Sequence, residues 1–251
     1  MEGASSTWPR SASTSTSFAV SVAKRPPKRR VRWASSYRVI NARFPPIGLF
    51  ERIADPGDWE SLIELEMLTN PRLRQEAGEI SLVPLEERVS GVGASWVMAP
   101  FTHIGWPSRF SDGSWGVYYC AWSLVTAVHE KAHHIGLFFA RTEEPLGTTM
   151  QLRALVAGID ASFHDIRRGF AGAHDPDDYR AAQALARELR EEGSNGIVYR
   201  SVRHEGGVCL AALRPKAVHL PISGPNLLFH FDGERVDRWF HFGEKDWQEI
   251  E

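Results

Sequence analysis

The chain has 251 residues, 43% of them hydrophobic and 24% charged, which is enough apolar side chain to bury a full core in one large domain. A formal net charge of -2 gives no basis for overall nucleic-acid affinity, and no apolar stretch approaches the roughly 20 residues that span a bilayer. The two cysteines, Cys120 and Cys209, both sit in apolar, strand-like runs, so buried inert thiols are expected rather than a disulfide scaffold, in a soluble, cytoplasmic protein.

In chain order, the first 44 residues hold Arg10, Lys24, Arg25, Lys28, Arg29, Arg30, Arg32, Arg38 and Arg43 against one acid, Glu2. Ser, Thr and Pro fill the gaps to about residue 35, which predicts a disordered basic arm over 1–35 and a folded domain over 36–251. Such a start also fits a transit peptide, and its KRPPKRRVR run could touch nucleic acid; a merely solvated arm is the simpler reading. Tyr37 to Ile40 reads as the first strand and Phe44-Pro45-Pro46 as the loop that ends it. Asp58 can cap a helix through Trp59, Leu62, Ile63 and Leu65 that Thr69-Asn70-Pro71 breaks, and short apolar runs follow at Ile80 to Val83 and Ser95 to Ala99.

Val117 to Ala121 suits a strand, and Ser123 is a candidate N-cap for the helix after it. Leu124, Ala127 and Val128 mark the buried face of that helix, Lys131 escapes it, and Glu130 closes the second turn. Asp178 is read as the cap of a helix that buries Ala182, Leu185, Ala186 and Leu189 and stops at Gly193-Ser194-Asn195-Gly196. Ile197 to Tyr199 then forms a strand with Ser201 at its exit, Gly206-Gly207 turns into a strand over Val208 to Leu213, and Asp232-Gly233 turns a hairpin between Leu228 to Phe231 and Val236 to Phe240. Short turns between many strands predict an α+β domain with mixed, largely antiparallel sheets and flanking helices, closed by a hairpin and tail over 224–251.

Two constellations compete for the chemistry. His129-Glu130-Lys131-Ala132-His133 matches the H-E-x-x-H of zinc peptidases, with Glu143, Glu144 or His134 as a third ligand, although Pro145 cuts any second helix that would carry the acid. Arg38, Arg109, Tyr119, Glu130 and Ser201 suggest instead a phosphorylated, stackable ligand, because guanidinium forks match phosphate oxygens and a tyrosine face packs on a flat heterocycle. No histidine is placed to activate Ser201 as a nucleophile.

Tyr37-Arg38, Ser108-Arg109-Phe110-Ser111, Gly116 to Ala121 and Thr126 to Glu130 together resemble the first half of the RES-domain family, with its G-R-[FW]-[NS] segment, its Y-x-A strand and its acid-bearing helix. Tyr179 to Ala186 and Gly193 to Arg203 resemble the second half, so the resemblance runs from Tyr37 to about Val218. Ser108 stands where the family has glycine, Arg200 where it has proline and His129 where it has a small residue, and segment 45–105 is longer than in minimal members. The resemblance implies a fold related to ADP-ribosylating toxins and the toxin of a bacterial toxin–antitoxin pair, neutralised by a helix-turn-helix antitoxin and not itself a DNA binder. It implies NAD+ as substrate with no metal, cleaved by a glycohydrolase, a phosphorylase or a mono-ADP-ribosyltransferase acting on a host metabolic enzyme. By motif position, Glu130 would stabilise the ribosyl cation, Arg38 and Arg109 would grip the diphosphate, Tyr119 would pack on the nicotinamide or its ribose, and Ser201 would bond the ribose or carboxamide. Arg203, with His204, is the candidate cation for a second anionic group such as phosphate. A zinc peptidase and a non-catalytic binding domain are the readings from other classes.

Overall fold

The computed structural model describes residues 25–42 and 78–250. The expected Asp58 helix and the Phe44-Pro45-Pro46 loop lie outside them. Among the described residues eight strands and three α-helices follow one another: β1 (Lys28–Asn41), α1 (Ala94–Thr102), β2 (Tyr118–Ala121), α2 (Leu124–Arg141), β3 (Thr149–Asp165), α3 (Arg180–Glu191), β4 (Gly196–Arg200), β5 (Val208–Ala212), β6 (Ile222–Phe231), β7 (Val236–His241) and β8 (Gln248–Glu249). None of these helices is long and apolar enough to cross a membrane.

The strands form one sheet in the order β1-β2-β5-β4-β3-β6-β7-β8, and a further β1–β3 pairing closes the first five into a ring. Only β3 and β4 run parallel, so the α+β, largely antiparallel architecture expected from the turn spacing holds. The ring depends on β3, which reaches β1 along nearly its whole length and meets both β6 and β4. No strand was expected there, because Arg153 and Asp160 interrupt the apolar run.

β1 begins at Lys28, not Tyr37, so residues 28–35, expected in the arm, are strand. The reason is cross-strand charge pairing. Arg30 and Arg32 reach Asp160, Arg29 reaches Asp165, and Val31 turns into the core between them.

β2 and β5 are buried on both faces, which is why they read as unbroken apolar runs. Ala121, Cys209 and Ala211 join a larger core with Val128 and Ala132 of α2 and Ala182 and Ala186 of α3. Tyr118, Cys120, Leu210 and Ala212 join a second core with Met98 and Phe101 of α1. The Ile80 to Val83 run, whose type was left open, makes a 3-10 turn that buries Ile80 against this second core. The C-terminal hairpin turns as expected at Asp232, whose carboxylate accepts from the backbone N–H groups of Glu234 and Arg235.

Candidate active site

Ser123 caps α2 as its residue type suggests: its hydroxyl accepts from the Thr126 N–H at 3.2 Å. The helix so anchored directs Glu130 and Lys131 into a cleft whose open volume, mouth included, is about 870 Å³. Arg38 of β1, Arg109, Tyr119 of β2 and Arg203 line the same cleft. Ser201 stands behind the acid. Its Oγ donates to Glu130 Oε1 at 2.6 Å while accepting from the N–H groups of Arg203 and His204 at 3.1 and 3.0 Å. The Cys209 thiol reaches the same carboxylate oxygen at 3.7 Å, and burial keeps that thiol protonated. Among the described residues Oε2 has no protein donor, so one oxygen is held and the other is left for a ligand.

The turn from Ser201 to β5 is tight. A side chain at Gly207 would put its Cβ 2.7 Å from the Thr126 side chain and 3.0 Å from His204, so glycine lets the Ser201 turn close on α2.

Each cation is held differently. Arg109 is buried, donates from Nη1 to the carbonyls of Ala173 and Asp175 at 3.2 and 2.6 Å, and lies over the Tyr179 ring at 4.5 Å. Arg203 donates to the Pro176 carbonyl at 2.6 Å, with Asp177 4.0 Å away. Arg38 makes one bond to protein, from Nη1 to the Tyr119 carbonyl at 3.0 Å, and lies over the Tyr118 ring at 4.8 Å. The Tyr119 hydroxyl accepts from the Phe110 N–H at 2.9 Å and meets Ser108 Oγ at 2.8 Å, and burial pushes the phenol up to about 12. What Tyr119 offers the cleft is therefore a neutral ring.

Three contributors were given no role in the site from the sequence, although Tyr179 and Gln183 lie within the second motif segment. Lys131, expected to escape into solvent, is half-buried and lines the cleft, where burial and then the Arg38 guanidinium hold it down to about 8. Gln183 of α3 donates to the carbonyls of Ser108 and Ser111 at 2.9 and 3.1 Å and so fixes the loop carrying Arg109. Tyr179 supplies the ring under Arg109 and is itself the N-cap residue of α3; Asp178, expected in that role, accepts instead from the Arg180 N–H one position further out. A polar Gln183 one turn into an otherwise amphipathic helix was the available signal for the second of these.

The H-E-x-x-H residues separate. Glu130 faces the cleft, whereas His129 and His133 line a neighbouring cavity with Leu137, Arg235 and Ile250. The His129 ring stacks on His204 at 4.6 Å, and His204 Nδ1 meets Thr126 Oγ1 at 2.9 Å. Among the described residues no group of three or more His, Cys, Asp or Glu side chains is arranged to hold a metal ion.

A sequence profile for the RES domain matches residues 86–232, more than half of the chain, and its span takes in Arg109, Tyr119, Glu130, Ser201 and Arg203 but not Arg38. The uncharacterized protein y4oC of Sinorhizobium fredii (strain NBRC 101917 / NGR234) is 27% identical over 210 residues, 83% of this chain and 87% of that one. A chain in the crystal structure of the M. tuberculosis MbcT–MbcA toxin–antitoxin complex aligns with a TM-score of 0.42 and 13% identity, covering 78% of this chain and 85% of that chain. By the extent of the profile match, the chain belongs to the RES-domain family.

Proposed function

We propose that this protein consumes NAD+ by cleaving the bond between nicotinamide and ribose, as the toxin of a cytoplasmic toxin–antitoxin pair. The observation that carries the reading is the setting of Glu130: a carboxylate with one oxygen held by Ser201 and the other facing a cleft lined by Arg38, Arg109 and Arg203. Family membership supports it, since the resemblance of these motif positions implies NAD+ chemistry. In this role Glu130 opposes the positive charge that grows on the ribose as the C1′–N bond breaks. The bonding electrons move to the nicotinamide nitrogen, which leaves neutral and needs no general acid. The acceptor then adds to C1′: water or a protein nucleophile releases its proton to solvent, whereas a phosphate dianion adds through an oxygen that carries none. Water yields ADP-ribose, inorganic phosphate yields the 1″-phosphate, and a protein side chain yields an ADP-ribosylated target.

Arg109, fixed on the 173–175 carbonyls, is the orienting cation at one wall, and the Tyr119 ring offers a face for the nicotinamide or its ribose. In this reading Ser201 positions Glu130, in addition to the ribose or carboxamide contact that the motif resemblance implies for it. The partner expected is a helix-turn-helix antitoxin.

The test is to incubate the purified full chain with NAD+ in three arms, in buffer alone, with inorganic phosphate and with cell extract, and to follow free nicotinamide. Release in any arm supports NAD+ cleavage, and the arm in which it is fastest identifies the acceptor. No release in all three contradicts the proposal.

A further inference from the structure

The four basic residues of the cleft are not equivalent. Arg109 and Arg203 direct their hydrogen bonds to the carbonyls of the 173–176 segment, so much of their donor capacity is spent on holding the fold. Arg38 and Lys131 face each other from β1 and α2 with a different balance. Arg38 makes a single bond, to the Tyr119 carbonyl, and Lys131 makes no hydrogen bond or ion pair among the described residues. Neither has a carboxylate within ion-pair distance among those residues. The two charges nevertheless lie near enough for the guanidinium to disfavour the ammonium. Two like charges turned into one cleft, half-removed from water and with the one carboxylate of that cleft, Glu130, in ion-pair contact with neither, cost stability unless an anion joins them.

We propose that Lys131 is a further anion-binding residue that completes a phosphoryl-binding subsite beside Arg38, whose phosphate role the family resemblance already implies. A compact ammonium beside a planar guanidinium fork suits two oxygens of one phosphoryl group, or adjacent oxygens of a diphosphate. The subsite stands on these contacts alone; only the identification of its anion as the diphosphate of NAD+ rests on the proposed function. Because Lys131 is held near 8 in the free protein, an anion that needs it charged binds with proton uptake above that pH. The charged groups and histidine sharing the cleft with it are Arg38 of β1, Glu130 and His134 of α2, Arg109 before β2 and Arg203 after β4; Cys120 of β2, Cys209 of β5 and the phenols of Tyr37, Tyr119, Tyr179 and Tyr199 are its other titratable groups.

Calorimetric titration of the full chain with ADP, with adenosine as the uncharged control and inorganic phosphate as a separate arm, tests the subsite without requiring turnover. ADP is expected to bind more tightly than adenosine, to lose about tenfold or more in affinity in Lys131→Gln, and to recover in Lys131→Arg. Wild-type affinity for ADP should fall as the pH rises through about 8, and that fall should vanish in Lys131→Arg. Lys131-dependent binding of ADP alone marks the anion as part of a nucleotide; the same dependence for inorganic phosphate marks the subsite as open to the free anion, and both support it. Anion affinity that ignores Lys131→Gln in a variant of unchanged melting temperature overturns the proposal. NAD+ consumption measured beside these titrations keeps the two readings apart: loss of Lys131-dependence leaves NAD+ cleavage standing, and absence of cleavage leaves the anion subsite standing.

Discussion

Arg109 and Arg38 line the same cleft and differ in what they would leave behind. Arg109 is buried and satisfies two backbone carbonyls, so its charge serves the fold and the cleft together. Arg38 is held by one carbonyl and the face of Tyr118, and its guanidinium disfavours the Lys131 ammonium, so its charge does less for the fold. The difference teaches that a cation in a site can be structural, ligand-directed or both, and that its protein partners say which.

Substitutions sharpen that contrast. Glu130→Gln should have the largest effect, because it removes the charge opposing the ribosyl cation while keeping the shape and an acceptor for the Ser201 hydroxyl. NAD+ turnover should fall by about 10²-fold or more, with the melting temperature and NAD+ affinity little changed. Arg109→Ala should lower both activity and stability: it strips the Ala173 and Asp175 carbonyls of their donor, and chemical denaturation should show a loss of about 1–3 kcal/mol. Arg38→Ala should instead raise KM for NAD+ about tenfold and leave the melting temperature almost unmoved, since it also relieves the repulsion on Lys131. Equal stability losses in the two arginine variants would break the comparison.

The smallest effect concerns the fold outside the cleft. His164 is buried, with Nδ1 2.8 Å from Ser194 Oγ, and burial holds its pKa below the ordinary 6.5. The unfolded chain therefore binds this proton more readily, so the stability His164 contributes is complete above about 6.5 and is lost as the pH falls through that value toward the depressed one. Thermal melts across that range should show the decline, and His164→Gln should lessen its slope.

Local rules were legible where local chemistry decided the outcome. Ser123 capped α2, Gly206-Gly207 and Asp232-Gly233 turned the chain, and Glu130 took its place on a helix whose periodicity fixed which face is buried. The motif order of the RES family supplied Arg38, Arg109, Tyr119, Ser201 and Arg203, and these converge on Glu130. What was not legible depended on distant partners. The start of β1 lay hidden in a basic run because its counter-charges, Asp160 and Asp165, sit on a strand more than 100 residues away. Lys131 looked like an exposed helix residue because nothing near it in sequence reveals that β1 lies across from α2. The H-E-x-x-H pattern, kept as a competing reading, separates for the converse reason: neighbours along one helix turn point to different cavities.

The most direct measurement is the crystal structure of the Glu130→Gln variant with NAD+ bound. It should show the nicotinamide ribose against the substituted side chain, the Tyr119 ring beside it and the diphosphate between Arg38 and Lys131. A dinucleotide seated outside this cleft, or one whose ribose lies away from position 130, would contradict the account.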